Sequence, residues 1–226
     1  MSSESSSEAA AAAVARLDEI AHKLRLECPW DREQDERTIV PHTVEEAYEL
    51  ADAAHRHDDG KLLDELGDVL FQVHFLALLL EERGAGDLEA VAEHCVEKLI
   101  RRHPHVFGSA RAQSAGEVLR NWDQIKRGEE GREPGIFGDV PETLPALLYA
   151  RKVQRRASGS PPPSESASVE RAREGFSRLE QAGDHFEVIG DVLFELVAVA
   201  RQLHVDPELA LRAAADRFRE RVLSAP

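Results

Sequence analysis

The sequence predicts an all-α protein, and three observations point that way. Ala, Leu, Glu and Arg dominate, only 5% of the 226 residues are aromatic, and no stretch sustains the two-residue alternation of β-branched residues that marks a strand. Apolar residues recur instead at helical spacing along the whole chain. This length allows one large domain or two small ones, each able to bury a core of its own.

Residues 1–15, acidic and rich in Ser and Ala, are expected to form a disordered tail, and they lack the basic start and leucine-like core of a signal peptide. The tail runs into a first helix, from about Glu8 to Glu27, expected to bury Leu17, Ile20, Ala21 and Leu24 and to end before Pro29. A second helix is expected to begin at Thr43, where Thr43 and Glu46 have the form of a capping box, and to stop at the turn before Gly60. A third, from Lys61 to Arg83, is apolar almost all round. A fourth starts at Asp87 and ends before Pro104, and a fifth opens at Ser114 with Glu117 as its capping-box partner. Glycines and prolines beyond Arg127 mark a loop, followed by a short helix around Leu144 to Arg156.

The segment "SGSPPPSESAS", residues 158–168, has a linker's composition. Beyond it the chain repeats itself: "LGDVLFQVHFLA" at 66–77 returns as "IGDVLFELVAVA" at 189–200. The expected organisation is a main domain at 16–157 and a degenerate second copy at 169–226. Glu65 corresponds to Val188, and upstream Glu45, Glu46 and Glu49 align with Arg173, Glu174 and Ser177. The second copy has lost most of its acids.

A net charge of −15 repels phosphate backbones and argues against general nucleic-acid binding. Cys28 and Cys95 form no Cys-x-x-Cys pair, which suits a reducing cytosol and offers no zinc spacing. Between Val69 and Leu80 the longest apolar run is broken by Gln72 and His74, and it falls short of the roughly twenty apolar residues that span a bilayer. A cytoplasmic protein with neither nucleic acid nor membrane as partner is expected.

Five carboxylates, Glu45, Glu46, Glu49, Glu65 and Asp68, stand among residues that otherwise look like helix interior. An unpaired carboxylate taken out of water costs several kcal/mol, so something must cancel its charge. Glu45 with Glu49, Glu46 with Glu49, and Glu65 with Asp68 are three or four residues apart and share helix faces. If the two helices pack antiparallel across the turn near Asp58 to Gly60, the two sets face one another and require a cation between them. An all-oxygen set suits a hard ion, Mg²⁺ first and Mn²⁺ second. Alternatively the acids are solvated or paired with Lys and Arg at helix edges. That alternative does not explain why Glu65 and Asp68 lie on so apolar a helix while the repeat carries Val188.

Glu45-Glu46-x-x-Glu49 followed by Glu65-x-x-Asp68 resembles the signature of the MazG-type all-α nucleoside triphosphate pyrophosphohydrolases. "ECPWDREQ" at 27–34, "VEEAYEL" at 44–50, "DELGDVLFQV" at 64–73, "KLIRRHPHVF" at 98–107, "NWDQIK" at 121–126 and "LPALLYARKVQRRA" at 144–157 resemble successive family blocks in order, over roughly residues 16–157. Asp35, Glu36 and Arg37 depart from the less charged residues expected there. The resemblance implies a MazG-like helical bundle and magnesium-dependent cleavage of a nucleoside triphosphate to the monophosphate and pyrophosphate. It implies Glu46, Glu49, Glu65 and Asp68 as metal ligands, with Glu45 as a further ligand or water-activating base, and a homodimer. Catalysis is expected in the first copy, because the second keeps Asp191 and Glu174 but too few ligands for a metal.

A triphosphate also needs cationic side chains. Lys98, Arg101 and Arg102 share a face at the end of the fourth helix, where spacing alone favours helix-dipole stabilisation and the resemblance turns Lys98 and Arg101 toward phosphate. Lys126 is a second phosphate candidate, Trp122 a stacking candidate and Trp30 a pocket wall. Two other enzyme classes fail: the His57-Asp58 pair of an HD phosphohydrolase sits in a turn, and only Glu19-x-x-His22 fits a di-iron bundle. A non-catalytic nucleotide sensor or oligomerisation module is the remaining competitor.

Overall fold

The computed structural model describes residues 2–129, 135, 137, 138, 140–157, 165–179 and 185–225, and its regular structure is helical throughout. The chain divides into two compact units, Met1–Arg111 and Ala112–Pro226.

The first unit contains α1 (Ser2–Glu27), α2 (Pro29–Glu33), α3 (Glu36–Arg56), α4 (Asp59–Glu82), α5 (Leu88–Arg102) and α6 (Pro104–Phe107). The expected tail is helical from Ser2 onward, because the five alanines Ala9 to Ala13 have the highest helix propensity and extend the helix that Ala21 anchors. Ala21 is buried as expected, but Ile20 is 48% exposed.

Helix α3 begins seven residues before the expected Thr43. Asp35 caps it, accepting from the backbone N–H groups of Arg37 and Thr38 while the Thr38 hydroxyl accepts from Asp35 N–H. Thr43 is therefore no cap: it lies inside the helix, and its hydroxyl donates to the Ile39 carbonyl at 3.3 Å. Pro41 lies inside the helix and does not stop it, although its missing N–H forfeits one backbone bond. The starts expected at Asp87 and Ser114 hold, each capping its helix by accepting from the Ala90 and Glu117 backbone N–H groups respectively, while the Glu117 carboxylate accepts from Gln113 N–H.

Helix α4 packs against α1, α3 and α5. Ile39, Phe75 and Leu79 form the core between α3 and α4, with Phe71 and Leu76 against it. Buried His74 bonds Asp18 at 3.1 Å, His22 bonds Glu81 at 3.2 Å, and Arg25 clamps Glu82 at 2.6 and 2.8 Å. These contacts tie α1 to the far half of α4 and leave one face of the helix from Leu63 to Val73 uncovered: Leu63, Leu66, Leu70 and Val73 are all at least 39% exposed.

The second unit contains α7 (Ala115–Arg127), α8 (Ala146–Ala157), α9 (Glu165–Leu179), α10 (His185–Gln202) and α11 (Pro207–Ser224). Helix α10 packs on α8, α9 and α11. Gly175 sets the α9–α10 approach, since a Cβ there would lie 2.6 Å from a Val192 methyl. Residues 158–164 of the expected linker lie outside the described residues, and 165–168 already belong to α9. Among the described residues no helix is long and apolar enough to cross a membrane.

Candidate metal centre

Helices α3 and α4 join through a two-residue turn. His57 takes the left-handed conformation that ends α3, and Asp58 caps α4 by accepting from Lys61 N–H. The His-Asp pair is therefore turn chemistry, and it folds the two helices back on one another. One oxygen each from Glu46, Glu49 and Glu65 then lie within 4.8 Å of one another.

Oxygens bound to one hard divalent ion at about 2.0–2.6 Å sit no more than about 5 Å apart, so this spacing fits such an ion. The three donors are all carboxylate oxygens, without thiolate or imidazole. Glu65 is 3% exposed and forms the floor, Glu46 is half-buried, and Glu49 opens to solvent. Burial first, then the charge of Asp68, then those of Glu49 and Glu65 hold the Glu46 carboxyl above the ordinary glutamate range. Asp68, exposed one turn beyond Glu65, thus acts on the cluster by its charge while standing outside the three-residue group.

Lys61 supplies the positive charge among these acids. Its Nζ lies 2.8 Å from Glu65 and 3.5 Å from Glu49. Sequence reasoning missed it, although a lysine four residues before Glu65 on the same helix face was a legible signal.

Glu45 points elsewhere: it is exposed and lies 3.3 Å from His42, whose ring stacks edge-on to Trp30 at 5.9 Å. On α5, Lys98 is half-buried, Arg101 exposed and Arg102 buried at 8% exposure. Trp122 and Lys126 lie on α7 in the second unit, with Lys126 Nζ 5.3 Å from the Trp122 ring centre.

The corresponding hairpin of the second unit, α9 with α10, holds a cavity of about 470 Å³ lined by Arg171, Glu174, Arg178, Asp191, Phe194 and Glu195. Here guanidinium groups meet the acids: Arg171 lies 2.9 Å from Glu195 and Arg178 lies 3.5 Å from Asp191.

Residues 34–107, which include all five acids, match the model of the MazG nucleotide pyrophosphohydrolase domain. A nucleoside triphosphate pyrophosphohydrolase/pyrophosphatase MazG of Thermotoga maritima is 41% identical, with 91% of this chain and 82% of that protein aligned. A nucleoside triphosphate pyrophosphohydrolase of Escherichia coli K12 is 39% identical over 86% of this chain and 78% of its own. The crystal structure of a MazG-related protein from Thermotoga maritima aligns at 28% identity with a TM-score of 0.44, over 50% of this chain and 97% of that one.

Proposed function

Because the chain belongs to the MazG nucleotide pyrophosphohydrolase family, we propose that it hydrolyses nucleoside triphosphates to the monophosphate and pyrophosphate, in the service of nucleotide-pool housecleaning. One observation supports the location of the chemistry: within the matched segment, oxygens of Glu46, Glu49 and Glu65 converge to within 4.8 Å. Glu46, Glu49, Glu65 and Asp68 would hold Mg²⁺, with Mn²⁺ as substitute. Such an ion neutralises phosphate charge and lowers the pKa of a bound water.

The chain's own residues do the rest. Glu45, which lies 3.3 Å from His42, would turn from that ring to serve as the further ligand or as the group that takes a proton from the attacking water. Water oxygen bonds to the α-phosphorus, and the bond to the bridging oxygen breaks, so that oxygen leaves with pyrophosphate. Lys98 and Arg101 pair with phosphate oxygens, with buried Arg102 beside them at the end of α5. Trp30 walls the pocket. We assign the first copy, 16–157, to catalysis and the second, 169–226, to support of the fold or of an oligomer. The uncovered Leu63, Leu66, Leu70 and Val73 of α4 support a homodimer, and free cysteines suit the cytoplasm.

Pyrophosphate release is the test, measured with Mg²⁺ across a panel of ordinary and modified ribo- and deoxyribonucleoside triphosphates. Release should vanish in Glu46→Ala and Asp68→Ala and persist in Asp191→Ala. Binding without turnover would favour the sensor, and dependence on Asp191 would move catalysis to the second copy. Light scattering at micromolar concentration should give twice the chain mass, and the mass of one chain would refute the dimer.

A further inference from the structure

The charge that Lys61 brings to the acidic cluster has a consequence for any ion that binds there. Glu65 is 3% exposed, a burial that an ionised carboxylate sustains only with a counter-charge, and Lys61 Nζ at 2.8 Å provides one. The same Nζ is 3.5 Å from Glu49, so it lies within ion-pair reach of two of the three converging carboxylates. A divalent ion bound by these oxygens would need the charge that Lys61 now cancels.

The second unit repeats the pattern in a different form. Glu49 and Glu65 correspond to Ser177 and Val188; of the acids that remain, Glu174 and Asp191, Asp191 is met by Arg178, and the neighbouring Glu195, at the position of Gln72, is met by Arg171. In both hairpins, then, a retained acid is met by a basic side chain of the same hairpin, Asp191 by Arg178 and Glu65 by Lys61. In the first unit that side chain is a lysine on the opening turn of α4, 43% exposed on a flexible stem, which can swing into solvent.

We propose that Lys61 is an exchangeable internal counter-ion: it holds Glu49 and Glu65 together when no divalent cation is bound, and it competes with the cation for them. This presupposes the divalent-cation site proposed above. It predicts an unusual sign, since deleting a conspicuous site residue should tighten metal binding. A lysine that merely oriented the ligands would do the reverse when removed.

Calorimetric titration of EDTA-treated full-length protein with Mn²⁺, at fixed pH and ionic strength, tests the competition. Lys61→Met should bind Mn²⁺ roughly three- to tenfold more tightly than wild type, the range expected for removing one partly exposed ion pair to a buried carboxylate. Its metal-free melting temperature should fall, and its Mn²⁺-induced rise should exceed that of wild type. Lys61→Gln provides a second neutral variant should the methionine fold poorly, and Lys61→Arg should stay within about twofold of wild type because the charge is kept. Unchanged or weaker binding in both neutral variants, while Glu65→Gln abolishes binding, overturns the counter-ion and leaves the metal site standing. A wild type that binds no Mn²⁺, or a Glu65→Gln that binds as wild type does, overturns the metal site and the counter-ion together.

Discussion

Replacing Glu46 with glutamine should make the cation-free protein more stable, although it should disable the site. Three acids, Glu49, Glu65 and Asp68, raise the Glu46 carboxyl, and Lys61 offsets part of their charge through its pairs with Glu65 and Glu49. At the 4.8 Å bound of the cluster, two like charges repel by about 0.9 kcal/mol at water's dielectric constant and about 3.5 kcal/mol at an effective value of 20. With a net excess of two negative neighbours and a largely hydrated rim, removing the Glu46 charge should gain about 1–2 kcal/mol. The pH dependence follows from the direction of the shift. Because the folded protein holds Glu46 above its unfolded value, the neutral carboxyl contributes stability that is present at low pH and lost as pH rises through the folded pKa. Glu46→Gln and wild type should thus be similar at acid pH and diverge as pH rises through that pKa, reaching a plateau above it. Urea unfolding in EDTA reads this out, on a Trp122→Phe background where Trp30 reports on the first unit. Divalent cation should then stabilise wild type but not Glu46→Gln. A Glu46→Gln protein less stable than wild type in EDTA, or a difference that does not grow with pH, would refute the electrostatic reasoning.

Phe75→Ala should cost about 3–5 kcal/mol in urea unfolding, because the ring is fully buried against Ile39 and Leu79. Asp35→Ala should cost about 1 kcal/mol in the same measurement, since two backbone N–H groups at the start of α3 lose their acceptor. His22 is held above the ordinary histidine range, first by its bond to the Asp18 carbonyl and then by Glu81. Its contribution to stability should be complete below the unfolded value and fade as pH rises through the folded one. Melting curves of His22→Gln between pH 5 and 9 should show a shallower alkaline decline than wild type.

Where local chemistry decides structure, the sequence was legible. The starts at Asp87 and Ser114 were readable because a short acceptor preceded an amphipathic run, and Glu46 with Glu49 because three-residue spacing fixes a helix face, while Glu65 joined them only through the turn near Asp58 that packs α4 back on α3. At α3 the capping-box form of Thr43 with Glu46 suggested a start there, whereas the acceptor that caps the helix is Asp35, eight residues earlier. Pairing with Lys and Arg was weighed only as a general alternative and set aside for buried Glu65, so Lys61 itself was not singled out. Nor does spacing reveal that Glu45 turns to His42 while Glu46, the next residue, turns inward; a helix separates adjacent residues by about 100°, but packing decides which of them is covered. The division near Arg111 was equally unreadable, because compactness follows contacts whereas the repeat at 189–200 follows descent.

The most direct test of the central claim is anomalous diffraction from crystals of the full chain grown with Mn²⁺ and a non-hydrolysable nucleoside triphosphate analogue. Manganese signal between Glu46, Glu49 and Glu65, with Lys61 withdrawn from Glu65, is the expected result. Those carboxylates bare of manganese, or manganese instead between Glu174 and Asp191, would contradict it.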